Sequence, residues 1–186
     1  MKYLPLITRW RGIDLMKRLL AISLILPSLL ITFASSASMH VEVSWSNVEK
    51  YRDLRAANEA KSKFQQRFFK EMSNHLNKLA EQLPHGYKLT MDVDNVDLAG
   101  RITFINGQEI RVIKGTFYPN MSFSYTLTDD KGQVVDKRET KAKGKAFMMN
   151  TNSQLGHRAF PYEKNLLSHW FNKELLANLK ESNTEK

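Results

Sequence analysis

The chain has 186 residues, with 28 lysine and arginine side chains against 19 aspartate and glutamate side chains, and a formal net charge of +9. It contains no cysteine, so cysteine catalysis, cysteine-based zinc sites and redox relays are excluded. Five basic and one acidic side chain fall in residues 1–37, and the remaining 149 residues carry +5, which is too weak a charge to indicate a nucleic-acid partner.

The first predicted element is a secretory signal peptide over residues 1–37. Two basic residues precede an apolar run over residues 19–33, and small side chains at a cleavage site follow the run. The run has 15 residues, whereas a membrane-spanning helix needs roughly 20. We therefore expect cleavage near Ala37, with an uncleaved anchor as the alternative, and we expect Met16 to be the true first residue.

Residues 38–180 are predicted to form a single α+β domain, with a flexible tail over residues 181–186. Apolar residues alternate with polar ones from residue 41 to 45, as in a half-buried strand, and then recur at helical spacing between residues 58 and 83. Strand patterns follow, and a last helix is expected from residue 161. We predict the order β-α-β-β-β-β-α, with a largely antiparallel sheet and both helices packed on one of its faces.

The strand over residues 87–98 is expected to contain a β-bulge. Its apolar residues occupy odd positions up to Val93 and even positions from Val96 onwards. One extra residue at positions 94–95 returns both sets to the same face of the strand, so the pattern predicts a bulge there.

Three aspartates on this strand are the sharpest candidates for a site. With the bulge, Asp92, Asp94 and Asp97 share the polar face, and close carboxylates attract a cation, a basic neighbour or a proton. This favours divalent-metal binding or acid–base chemistry, as in a metal-assisted periplasmic hydrolase. The alternative is a solvated face balanced by basic neighbours, because the spacing is not that of a calcium loop.

The pair Asn106-Gly107 predicts a β-hairpin. A two-residue loop places Phe104 opposite Glu109, whereas a loop over residues 106–108 places it opposite Ile110. Because burial of apolar pairs decides the register of a strand pair, we expect the longer loop.

A mostly charged stretch over residues 134–146 predicts an edge strand protected by lysines. Its basic side chains, with two residues of the following loop, are candidates for binding an anionic envelope component such as lipid headgroups or acidic glycans. The candidates are Lys137, Arg138, Lys141, Lys143, Lys145, His157 and Arg158. The alternative is that they only prevent aggregation of the edge.

Several short motifs occur in a recognisable order along the chain. They are Asp97-Leu98-Ala99-Gly100, Arg111-Val112, Phe123-Ser124-Tyr125, Tyr162-Glu163-Lys164 and Trp170-Phe171. Their order and spacing resemble the uncharacterised exported proteobacterial domain-of-unknown-function family 3016, and the resemblance spans roughly residues 43–175. It implies a periplasmic location and supplies no activity and no catalytic residue.

No hydrolase motif, phosphate-binding glycine loop or histidine pair with metal-ligand spacing is present in the sequence. Export, compact size and the missing catalytic spacing favour a non-catalytic binding module of the cell envelope, with the hydrolase as the alternative. We expect no cofactor, no nucleic acid, no membrane span after cleavage, and a monomer or weak oligomer. The expected partner is an envelope protein or an anionic envelope component.

Overall fold

The computed structural model describes residues 40–51, 53–145, 147–149 and 158–184. The predicted signal peptide, the proposed start at Met16 and the candidate His157 all lie outside these residues. Within the described ranges, none of the helices has the length and apolar character needed to cross a membrane.

The elements confirm an α+β fold with helices at either end of a run of strands. In chain order they are β1 (Val41–Trp45), a 3₁₀ turn (Val48–Lys50), α1 (Lys61–Ala80), β2 (Lys88–Asp97), β3 (Arg101–Ile105), β4 (Gln108–Val112), β5 (Asn120–Thr128), β6 (Val134–Lys143), α2 (Pro161–Trp170) and α3 (Leu176–Thr184). A π-helical turn, Phe171–Leu175, joins α2 to α3.

Four of the strands form one mixed sheet in the order β1-β2-β5-β6. β1 runs parallel to β2, and the other neighbours are antiparallel. Parallel neighbours need a long crossover, and α1 supplies it. β3 and β4 pair only with each other, as a hairpin inserted between the end of β2 and the start of β5.

One face of the sheet is buried under both helices. α1 buries the stripe that its spacing predicts, and alternate residues of β2 and β5 join the same core. Trp170 is 1% exposed, and its ring centroid lies 4.8 Å from that of Phe123 and 5.2 Å from that of Tyr125. Burial of each large apolar side chain contributes about 1.5–3 kcal/mol, so this layer holds the helices in place. We call the opposite, polar face of the sheet the open face.

The predicted bulge in β2 is confirmed. The pairing of β2 with β5 shifts between Val93 and Asn95, so Asp94 has no partner residue in β5. The carbonyl oxygen of Val93 accepts hydrogen bonds from the Tyr51 hydroxyl and the Ser46 backbone N–H. These donors satisfy the backbone where the regular ladder is interrupted.

The expected three-residue hairpin loop is wrong. Ile105 pairs with Gln108, and the turn Asn106-Gly107 has φ values of 52° and 81°, which fit a two-residue type I′ turn. Phe104 therefore lies opposite Glu109 and is 71% exposed. Neither face of this hairpin is deeply buried, so turn geometry rather than burial fixes its register.

Candidate functional site

The open face carries its charges in separate strands. Residues directly opposite each other in neighbouring strands project their side chains from the same face. Four such rows cross β2, β5 and β6: Thr90–Thr126–Lys137, Asp92–Ser124–Glu139, Asn95–Ser122–Lys141 and Asp97–Asn120–Lys143. Carboxylates are therefore concentrated on β2, hydroxyls on β5 and lysines on β6, which forms one edge of the sheet.

Two of the predicted aspartates line one recess on this face. The recess has a volume of about 380 Å³, and Asp92 and Asp94 share it with Glu139 and Lys141. The Oδ1 atom of Asp92 accepts hydrogen bonds from the hydroxyls of Ser46 at 2.6 Å and Ser44 at 3.1 Å. These bonds from β1 and the residue following it fix the direction of the Asp92 carboxylate.

Asp97 lines a different recess, which we call the terminal cleft because it lies where β2 ends and β5 begins. The cleft has a volume of about 440 Å³. Its lining residues are Asp53, Asp97, Leu98, Gly100, Arg101, Thr116, Phe117, Tyr118 and Asn120. The amide nitrogen of Asn120 donates to Oδ2 of Asp97 at 2.9 Å. Partial burial raises the pKa of Asp97, and this hydrogen bond opposes the rise.

The three aspartates are thus divided between two recesses. In the part of the chain that the structure describes, no group of three or more histidine, cysteine, aspartate or glutamate side chains is arranged to hold a metal ion. Metal binding or acid–base chemistry by Asp92, Asp94 and Asp97 stays a prediction.

An arginine from the hairpin holds the terminal cleft together. The guanidinium of Arg111 donates to both carboxylate oxygens of Asp53, at 2.8 and 3.1 Å, and to the carbonyl oxygens of Asp53 and Arg55 at 3.0 and 2.9 Å. The Leu98 backbone N–H donates to Asp53 as well, at 3.2 Å. Because one carboxylate contacts both Arg111 of β4 and the residue after β2, it fixes the hairpin and the end of β2 to the loop before α1.

Sequence reasoning missed the structural position of Glu163. This residue is 3% exposed, and its Oε1 atom accepts a hydrogen bond from the Ala99 backbone N–H at 2.8 Å. Burial raises the pKa of Glu163, while the Ala99 bond and the charge of Arg111 oppose the rise. A glutamate in the first turn of a helix is usually exposed and stabilised there by the helix dipole. Neither the residue type of Glu163 nor its position in the sequence therefore indicated that its side chain is buried.

The basic candidates of the edge strand lie on two different surfaces. Lys137, Lys141 and Lys143 are exposed on the open face, two or four residues apart along β6. Arg138 lies on the other face, and its Nε donates to Oδ1 of Asp136 at 2.9 Å. The alternation of a strand therefore removes Arg138 from the lysine row.

The remaining candidates lie beyond β6. Lys145 lines a recess of about 260 Å³ together with Tyr162, Asn165 and His169 of α2. Arg158 is exposed just before α2. Lys143 lines the same recess as Lys145. Lys137, Lys141 and Lys143 share the open face of β6, and we call these three residues the lysine row.

The lysine row differs from several other basic side chains of the chain in having no ion-pair partner among the described residues. Six basic side chains pair with carboxylates: Arg55, Arg67, Lys88, Arg111, Arg138 and Lys164. No member of the lysine row forms an ion pair with any residue in the described ranges. These three ammonium groups therefore remain available to an external anion.

Comparison with known protein families gives a match that spans most of the domain. A family model described as a protein of unknown function (DUF3016) matches residues 39–173. Neither the curated proteins nor the solved structures contain a significant match to the chain. The matched region includes every motif on which the resemblance to this family rests.

Proposed function

The chain belongs to the DUF3016 family, whose description assigns no activity, and we propose that it is an exported, non-catalytic module that binds an anionic component of the cell envelope through the lysine row. The single observation that carries this proposal is the alignment of three exposed lysines on one face of the edge strand β6, none of which has an ion-pair partner among the described residues.

The arrangement of the row supports binding of an extended anion. Successive residues on one face of a strand lie roughly 7 Å apart, so Lys141 and Lys143 present two positive charges along a line. Glu139 interrupts the row on the same face. An anion with several charged groups therefore gains more from this edge than a single small ion does, because it contacts cations on either side of Glu139.

The expected contribution of the row is large enough to measure. Each lysine near an anionic surface contributes about 1 kcal/mol, so replacing three of them weakens binding by about 3 kcal/mol, or on the order of 100-fold. Because the groups are exposed, the interaction is screened by salt. Binding is expected to weaken steeply as the NaCl concentration increases.

The test compares two variants with equal loss of charge. In the first, Lys137, Lys141 and Lys143 are replaced by glutamine. The control replaces three exposed lysines of α1, Lys61, Lys63 and Lys78, which lie on the helical side of the sheet. Binding is measured to phosphatidylglycerol vesicles and to polygalacturonate, at low and at high salt, with phosphatidylcholine vesicles as the uncharged reference.

We expect the lysine-row variant to lose most binding to at least one anionic probe while the α1 variant behaves like the original chain. Equal losses in both variants would mean that only net charge matters, and the proposal would fail. It would fail too if neither anionic probe bound the original chain. The two probes separate a lipid surface from an acidic glycan as the source of the negative charge.

The location of the protein is tested separately. Cell fractionation and N-terminal sequencing are expected to give a periplasmic protein that begins close to Ser38. Recovery of a cytosolic protein, or of one that retains residues 19–33, would contradict export with cleavage.

A further inference from the structure

The terminal cleft combines hydrogen-bond acceptors, donors and aromatic rings in one space. Asp97 offers carboxylate oxygens, Asn120 an amide, and Thr116 and Tyr118 hydroxyls, beside the ring of Phe117. A hydroxyl group donates one hydrogen bond and accepts up to two, so the hydroxyls of a polyhydroxylated ligand suit a lining that contains both donors and acceptors. The cleft volume of about 440 Å³ falls in the range typical of small-molecule sites, roughly 300–1,000 Å³.

The aromatic wall of the cleft is held in position by a cation. The guanidinium carbon of Arg101 lies 4.9 Å from the centre of the Phe117 ring, which is cation–π distance. Arg101 thus orders the ring and adds N–H donors to the cleft. Aromatic rings of this kind offer an apolar face to the C–H groups of a sugar ring.

The cleft and the lysine row meet in one row of paired residues across the sheet. Asp97 pairs with Asn120, and Asn120 pairs with Lys143. Neighbouring strands are about 4.8 Å apart, so Lys143 lies about two strand spacings from Asp97. A ligand in the cleft therefore has a positive charge within reach at its β6 end.

The carboxylates of β2 favour a glycan over a lipid surface. An anionic bilayer laid against the open face approaches Asp92, Asp94 and Asp97 as well as the lysines, and like charges repel. The hydroxyls of a saccharide instead donate hydrogen bonds to carboxylates. The mixture of charges on this face matches a ligand that carries hydroxyls on one part and an anionic group on another.

We propose that the ligand is an acidic saccharide, with a hydroxyl-bearing ring in the terminal cleft between Asp97, Asn120 and Tyr118 and with its anionic group at Lys143. This inference rests on the proposed function and adds the chemical class of the ligand. The anionic group supplies salt-dependent affinity at the lysine row, and the ring in the cleft supplies selectivity for sugars.

The test removes two hydroxyls from the cleft without changing its charge. Thr116→Val and Tyr118→Phe are combined in one variant, and the control combines Thr90→Val with Tyr87→Phe at the other end of β2. Isothermal titration calorimetry follows oligogalacturonate, a neutral oligosaccharide of equal length, and polyphosphate as an anion without sugar. Loss of two hydrogen bonds is expected to weaken oligogalacturonate binding roughly 30-fold.

We expect the cleft variant to bind polyphosphate as the original chain does, which shows that it folds and that its lysine row is intact. The control variant should bind all probes unchanged. If the cleft variant binds oligogalacturonate with unchanged affinity, the cleft assignment is overturned, while the lysine-row proposal stands. If the lysine-row variant keeps full affinity for both anionic probes, the proposed function fails, and with it the acidic saccharide.

Discussion

Replacing Arg111 by methionine is expected to destabilise the protein much more than replacing Arg55 by methionine. Both arginines connect the hairpin region to the loop before α1, and both make bidentate contacts with a carboxylate. They differ in burial. The Arg111 and Asp53 side chains are 19% and 23% exposed, whereas those of Arg55 and Glu109 are 40% and 38% exposed.

The loss of stability in each variant depends on which polar groups the substitution leaves without a hydrogen-bond partner. Without Arg111, the half-buried Asp53 carboxylate loses two charged hydrogen bonds, and four backbone carbonyls lose a donor. Breaking a buried pair costs about 3–5 kcal/mol, and partial exposure reduces this to about 3 kcal/mol. The exposed Arg55–Glu109 pair contributes much less, because water screens it and replaces its partners.

Urea denaturation at neutral pH measures both variants. The Arg111→Met variant should lower the free energy of unfolding by about 3 kcal/mol, with an unchanged dependence on urea concentration. Equal costs for Arg111→Met and Arg55→Met would refute the reasoning, because they would show that burial of the Arg111–Asp53 pair has no consequence.

Two further substitutions test the turn after β2 and the buried carboxyl beside it. Gly100→Ala places a Cβ atom 2.5 Å from the Val112 carbonyl oxygen at a φ of +80°, and it should lower the free energy of unfolding, measured by thermal unfolding, by about 3 kcal/mol. Gly107→Ala, at a similar φ but with open space around it, should lower it by about 1 kcal/mol. Similar losses in the two variants would contradict the steric argument. Glu163→Gln should stabilise the protein relative to the original chain, by an amount that grows as pH rises from 4.5 towards the raised pKa of the folded state, because in this window the unfolded chain releases the Glu163 proton while the folded chain retains it. A difference between the two chains that does not change with pH would contradict a raised pKa for the buried carboxyl.

The spacing of apolar residues correctly predicted the strands and helices that bury one face against the hydrophobic core. The change of parity between Val93 and Val96 specified the bulge in β2, since both side chains must reach the same buried layer. The same argument failed at the β3–β4 hairpin. There the exposed Phe104 gains little from either register, and the φ preference of Asn106-Gly107 decides.

The candidate site was predictable only in part. Composition identified the basic stretch. Once the bounds of β6 are known, the alternation of side chains along the strand places Arg138 on the opposite face from the lysine row. The terminal cleft was not predictable, because its walls come from the segment before α1, the end of β2 and the residues before β5. Such proximity depends on the order of strands in the sheet, which a single sequence does not specify.

Amide chemical-shift mapping during titration with oligogalacturonate is the most direct test of ligand binding at the edge of the open face. The largest shifts are predicted at Lys141, at Lys143 and in the terminal cleft, while the amides of α1 stay unchanged. Shifts confined to α1, or no shifts at saturating ligand, would contradict binding at the lysine row.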